Sequence, residues 1–406
     1  MKPLSLLATL VLLFMEFAVY AQIAIPATPP SDSLDFAKER ALIRGTTMGQ
    51  KMESLLFWSE AEKERRFPYM HRLFPSLEVA RGEKVYPLEN GLPLSPGQQA
   101  RVTSYMEANH IKGLLVLKDG KIRWEGYGAD VGPETVWTSF SVGKSVTSML
   151  LGIALKEGDI QSLDDTLAQY IPELRGQDYG MVSIRQLLTM TSGIAWNEDY
   201  ADHNSDVAQM YLQPCEGEEP HIFSYMKALP ALHPPGQTFN YSTGETDLLG
   251  ILIQRATGKS LATYLSEKIW QPWGMQAKAY WLADECSQLN LGGSGLSATL
   301  RDYGRLGMLM LQKGENHAEP LFAEEWIKQA SSLLVPIGDD GSGYGYLWWR
   351  FPDGSYGAFG IFGQMIYINP NTHVVIAQYA AWPQAGSKEL SAARAAFIAE
   401  VEEMVN

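Results

Sequence analysis

Between Gly113 and Gly128 the chain reads GLLVLKDGKIRWEGYG, two apolar, β-prone runs around Asp119-Gly120. That pattern predicts a hairpin closed by a two-residue turn. From Ser141 to about Gln312 the apolar spacing becomes mostly helical, with candidate helices over residues 146–155, 184–190, 246–256, 261–269 and 298–311. Strand-like runs return at 344–350, 356–361, 364–369 and 374–379, the last two joined by a turn at Asn369-Pro370-Asn371. A helix from about Ser387 to Val405 closes the chain. Strands at both ends of a helical middle predict an α+β fold. One antiparallel sheet is assembled from distant segments and flanked by helices, with a mostly helical insertion over about residues 145–312.

The N-terminal region differs. Residues 1–21 carry Lys2, an apolar run from Leu4 to Met15 interrupted by Glu16, and Val19-Tyr20-Ala21, with small residues where a signal peptidase reads. This is expected to be a cleaved export signal, too short to span a bilayer, delivering a periplasmic or secreted protein with no stable membrane span. Residues 22–84 are expected to form a linker with Pro26, Pro29 and Pro30, then a charged helical appendage from about Leu34 to Arg66. Residues 85–406 remain as the main domain.

Composition narrows the function. With 46% hydrophobic and 19% charged residues the chain can bury a large core. Its net charge of −14 and the lack of any clustered Lys/Arg patch exclude nucleic acid as a partner. Cys215 and Cys286 are too few and too far apart for a disulfide scaffold or a paired-cysteine zinc site, and no His-Glu metalloprotease pattern occurs, so no metal is expected. Export would permit a Cys215–Cys286 disulfide; two separate buried thiols fit the sequence equally.

Three elements carry candidate chemistry. Ser141 and Lys144, three apart at the start of an apolar helix, share a face, so the amine can reach the hydroxyl. The helix N-terminus and partial burial both favour a neutral, basic amine. Ser224 and Lys227 repeat the spacing, and a serine there also serves as a helix cap, so the pair alone does not decide. Gly143-Lys144-Ser145 ends like a phosphate-binding loop, but Thr138 stands where that motif needs glycine. The second element is PPGQTFNYST, residues 234–243, whose Tyr241 precedes a helix and is expected to share the Ser141 proton with Lys144, the ammonium favouring its anion. A core tyrosine is the alternative. The third is YGAFGIFGQ, residues 356–364, a glycine-dotted strand edge where an N–H near Ile361 could join that of Ser141 as an oxyanion hole. A bulged edge strand reads equally well. Trp196, Asn197, Asp199 and Tyr200 occupy a loop placed to line a cleft, although aromatic loop residues are more often packing.

These elements in this order, with LLTMTSGI at 187–194 and GLSATLRDY at 295–303, resemble the serine β-lactamase-like family. That group includes class C β-lactamases, D-alanyl-D-alanine carboxypeptidases, family VIII esterases and 6-aminohexanoate-dimer hydrolases. The resemblance covers about four-fifths of the chain. It implies the β-lactamase/transpeptidase-like fold, acylation and deacylation at Ser141 with Lys144 and Tyr241, and no cofactor.

Two positions depart from the family pattern. Thr243 replaces the usual asparagine, which weakens side-chain support for a substrate amide. Ala358-Phe359-Gly360 replaces the usual Lys/His-Thr-Gly, removing a cation and a hydroxyl that hold a substrate carboxylate. The expected activity is therefore an exported serine esterase or small-amide hydrolase with poor β-lactam turnover. The alternatives are a β-lactamase or penicillin-binding carboxypeptidase, and a catalytically inactive binding module of the same fold.

Overall fold

The computed structural model describes residues 35–43, 48–315 and 320–406. The expected export signal and the proline-rich linker lie outside these residues.

Twelve strands form two antiparallel sheets among the described residues. They are β1 (Ser76–Val79), β2 (Ile111–Lys118), β3 (Lys121–Tyr127), β4 (Val136–Thr138), β5 (Ala279–Leu282), β6 (Leu296–Thr299), β7 (Val335–Pro336), β8 (Gly343–Tyr344), β9 (Trp349–Arg350), β10 (Tyr356–Gly360), β11 (Gln364–Asn369) and β12 (Val374–Ala380). The large sheet runs β3-β2-β12-β11-β10-β9-β8-β7, so chain from both ends meets at the β2–β12 pair. The β2–β3 hairpin turns at Asp119 and Gly120, both with positive φ (51° and 75°), the primed turn that matches strand twist.

β2, β11 and β12 are buried almost throughout because helices cover both faces of the sheet. On one face Leu115, Leu117 and Val375 meet Gly304 and Gly307 of the Leu300–Leu311 helix, whose missing side chains let it settle onto the strands. On the other face Gln378 bonds the phenol of Tyr105, which stacks on Phe397, joining the Pro96–Ala108 and Lys388–Val405 helices.

Three stretches differ from their sequence patterns. The expected strand 344–350 splits into β8 and β9, because Leu347 takes φ 62° while its N–H bonds Leu188 and its carbonyl accepts from Ser145. The stretch 145–312, expected to be mostly helical, also supplies β5 and β6 to the small sheet, ordered β1-β5-β6-β4. The charged N-terminal region forms three short helices, Phe36–Leu42, Met48–Leu55 and Glu60–Arg66, the last started by a Ser59/Glu62 capping box. No gap in packing marks residue 85, since β1 pairs with β5. Among the described residues no helix is long and apolar enough to cross a membrane.

Candidate active site

β4 ends at Thr138 and the chain turns through Ser139-Phe140 into the Val142–Glu157 helix. Phe140 takes φ 44°, a left-handed conformation costing a non-glycine residue about 1–3 kcal/mol. Its ring packs edge-on against Phe67 and Phe362, with centroids 5.0 and 5.2 Å away, and this burial offsets the strain. The turn leaves Ser141 at the N-cap, yet its side chain caps nothing. Its Oγ lies 3.0 Å from Lys144 Nζ instead.

Lys144 is 1% exposed and has two further partners, Thr243 Oγ1 at 2.8 Å and the Gly293 carbonyl at 2.9 Å. A carbonyl only accepts. The Thr243 hydroxyl donates its proton to Glu198, so it too presents only a lone pair to the lysine. A neutral amine has two N–H bonds for these two acceptors, which leaves its own lone pair facing Ser141. Burial pushes Lys144 down to about 8, against the pull of the Glu198 and Asp247 carboxylates. Burial therefore outweighs the neighbouring charges, so that above about pH 8 this amine is neutral and able to accept a proton.

Tyr241 stands within hydrogen-bonding reach of the serine. Its ring stacks on Trp349 (centroids 5.8 Å apart) and lies 5.2 Å from Lys144 Nζ. The expectation of a favoured phenolate is corrected here: burial, reinforced by the Glu198 carboxylate, pushes the phenol above its ordinary value. The lysine approaches the ring, and its own burial weakens the ammonium that was expected to stabilise the anion. Tyr241 holds its proton.

The end of β10 runs beside the serine. A Cβ on Gly360 would come within 2.7 Å of the Ser139 carbonyl and 3.1 Å of Ser141 N, so only glycine lets the two main chains approach this closely. Ile361 follows directly and lines the same cavity as Ser141. That cavity, about 60 Å³, is walled by Thr138, Phe140, Tyr200, Val207, Met210, Tyr211, Leu282 and, from the N-terminal region, Met52, Leu55, Leu56 and Met70. Among the described residues no charged side chain lines it.

The family model described as Beta-lactamase matches residues 99–400. The chain belongs to the beta-lactamase family. It is 26% identical over 349 residues to the 6-aminohexanoate-dimer hydrolase of Paenarthrobacter ureafaciens, an alignment covering 80% of this chain and 87% of that protein. Among solved structures, a protein from Bacillus anthracis described as a 6-aminohexanoate-dimer hydrolase matches with TM-score 0.74 and 23% identity, over 84% of this chain and 94% of that one. The D-alanine carboxypeptidase AmpC of Burkholderia cenocepacia matches with TM-score 0.56 and 18% identity, over 74% and 97%. The fold is thus the β-lactamase/transpeptidase-like one that the resemblance implied, in a family of hydrolases.

Within this beta-lactamase-family site, two residues have more to do than the sequence reading allowed. Thr243, read as a weakened position, accepts from Lys144, so that in the neutral amine a lone pair is left for Ser141. Glu198 lies between the loop residues set aside as packing. Its carboxylate takes the N–H of Thr243 at 2.9 Å, the Thr243 hydroxyl, the Trp196 indole and the Tyr200 phenol at 2.5 Å. It thereby takes the first N–H of the Thr243–Thr257 helix, at an end where a carboxylate is favoured, while Ser242 caps the N–H of Glu245. Asp247 supports the other acceptor: it bonds Gly293 N at 2.7 Å and the Tyr211 phenol at 2.8 Å. The signal for Glu198 was a pair of carboxylates, Glu198 and Asp199, flanked by Trp196 and Tyr200 in a loop after Thr-Ser-Gly; only the fold brings Glu198 to Thr243.

Proposed function

We propose that the protein is a serine hydrolase cleaving neutral esters or small amides through an acyl-enzyme on Ser141. The observation that carries this reading is the buried Lys144 amine, whose two other partners can only accept, leaving its lone pair for the Ser141 hydroxyl. Ser141 Oγ attacks the substrate carbonyl and its proton passes to Lys144. The Ser141 and Ile361 N–H groups hold the oxyanion, and Tyr241 donates to the leaving group; the proton taken up by Lys144 then returns to Tyr241, restoring the neutral amine and the phenol. A water then repeats the sequence on the acyl-enzyme, releasing acid and free serine. No cofactor takes part. We also propose action outside the cytoplasm, which the signal-like residues 1–21 and the Cys215–Cys286 disulfide support.

The substrate class follows from the walls. A 6-aminohexanoate dimer, the substrate in the relative's name, carries a carboxylate and an ammonium, and β-lactams and D-alanyl peptides carry a carboxylate. Among the described residues the cavity offers no countercharge, and Ala358-Phe359-Gly360 supplies none, so a carboxylate buried against them would be left unpaired. Met52, Leu55 and Leu56 close the acyl side and leave room for a short apolar chain. A panel of p-nitrophenyl esters, anilides and a chromogenic cephalosporin is expected to give short neutral esters the highest kcat/KM and the cephalosporin the lowest. Met52→Ala and Leu56→Ala should each raise the ratio of hexanoyl to acetyl ester hydrolysis by about tenfold. Efficient cephalosporin turnover without ester cleavage would reject the assignment.

The pH dependence checks the base. Below about 8 Lys144 holds an extra proton and has no lone pair to offer, so kcat/KM should rise with pH along a limb centred near that value. A limb in the carboxylate range would assign the base to another residue.

A further inference from the structure

Cys215, His221, Asp284, Glu285 and Cys286 converge beside the start of the His221–Met226 helix. The cysteines form a disulfide. Around it the geometry goes beyond what a disulfide needs. His221 is 4% exposed, and its Nε2 lies 3.7 Å from Cys215 Sγ, 3.3 Å from Cys286 Sγ and 3.6 Å from Glu285 Oε1. Its other nitrogen, Nδ1, is 2.7 Å from Asp284 Oδ2. Asp284 is itself fixed by the N–H groups of His221, Cys286 and Ser287 at 2.9–3.0 Å. Cys286 Sγ is also 3.2 Å from Nδ1, so this sulfur lies against the ring; an Nδ1–H donated to Asp284 leaves the Nε2 lone pair available beside both sulfurs and the Glu285 carboxylate.

We propose that when the Cys215–Cys286 bond is open, both thiolates, His221 Nε2 and the Glu285 carboxylate bind one zinc ion tetrahedrally. The disulfide and the metal are then alternative occupants of one site. Zinc bonds of about 2.0–2.3 Å place tetrahedral ligand atoms about 3.3–3.8 Å apart. The Nε2–sulfur and Nε2–oxygen separations already fall in that range; opening the bond lets the two sulfurs move apart, and the Glu285 side chain, outside the tight Cys215–His221–Cys286 cluster, swings in to complete the four. Asp284 plays the orienting role that a carboxylate plays behind metal-bound imidazoles. The sequence expectation of no metal rested on cysteines far apart in the chain, and folding removes that separation. Tyr211 and Leu282, each a few residues before one of the cysteines, line the cavity, so either occupant ties two of its walls together.

The chemistry balances with a dithiol as reductant: two electrons and two protons pass from the dithiol to the disulfide, the S–S bond breaks, and the dithiol becomes a disulfide. Zinc then displaces the two thiol protons to solvent.

The test is titration of the full-length protein, reduced with dithiothreitol and then freed of it without oxygen, using cobalt(II) and then zinc(II). The expected result is one cobalt per chain, with thiolate-to-cobalt charge-transfer and tetrahedral d–d bands that zinc abolishes, and no binding by the oxidised protein. Asp284→Asn should weaken zinc binding about 10–100-fold. Glu285→Gln keeps both cysteines, and so the disulfide-bonded fold, and should weaken it at least about tenfold. Reduced wild-type protein without these bands, or bands that persist unchanged in Cys215→Ser and Glu285→Gln, would overturn the proposal.

Discussion

Replacing Ser141 by alanine is expected to lower kcat/KM for a short p-nitrophenyl ester by about 10⁴-fold or more. The protein should remain folded, because the Ser141 side chain makes no capping bond that the helix would lose. Lys144→Met should cost nearly as much. With both changed, activity should fall little below that of either single variant, since nucleophile and base act as one unit. The comparison discriminates between roles: a lysine that only filled space would leave the serine reactive in the methionine variant. Steady-state kinetics on the three variants, with circular dichroism and thermal melts as the folding control, give the answer.

Tyr241→Phe is expected to lower kcat/KM by about 10²–10⁴-fold, the range for a positioned proton donor. The loss should depend on the leaving group. A p-nitrophenolate departs without a proton, whereas an alkoxide or amine needs one, so the anilide and alkyl-ester activities should fall furthest. This expectation follows from the phenol being held protonated by burial and the Glu198 carboxylate. A uniform loss across leaving groups would instead assign Tyr241 to positioning Ser141. The ring itself, stacked on Trp349, is retained in phenylalanine, so the variant isolates the hydroxyl.

Much of the architecture was legible because local signals and global fold agree. Asp119-Gly120 demanded a primed turn and received one, and the apolar runs of β11 and β12 read as buried strands because helices cover both faces of the sheet. Ser141 and Lys144 were legible because their spacing is local to one helix. Residues 344–350 were misread for a complementary reason: their β-prone run is broken by bonds from Leu347 to Leu188 and Ser145, which no window of sequence contains. The same holds in the site. Glu198 and Thr243 bond each other across the chain, so the contacts of Thr243 to a carboxylate on one side and the Lys144 amine on the other could not be read beside its departure from the family pattern. The sign of the Tyr241 shift was misjudged because counting a nearby lysine is possible from sequence, while weighing its burial is not. Cys215 and Cys286 meet only because β5 and the start of the His221–Met226 helix are neighbours, joined by His221 and Asp284.

The central claim is a covalent intermediate on one serine. Intact-mass and peptide-map analysis after treatment with an alkyl fluorophosphonate tests it most directly. One phosphonyl group per chain is predicted, on Ser141, with none on Ser141→Ala and slower labelling as pH falls below about 8. Folded wild-type protein that takes no label, or takes it on another residue, would contradict the account; the absence of label would make the cleft a binding site without chemistry.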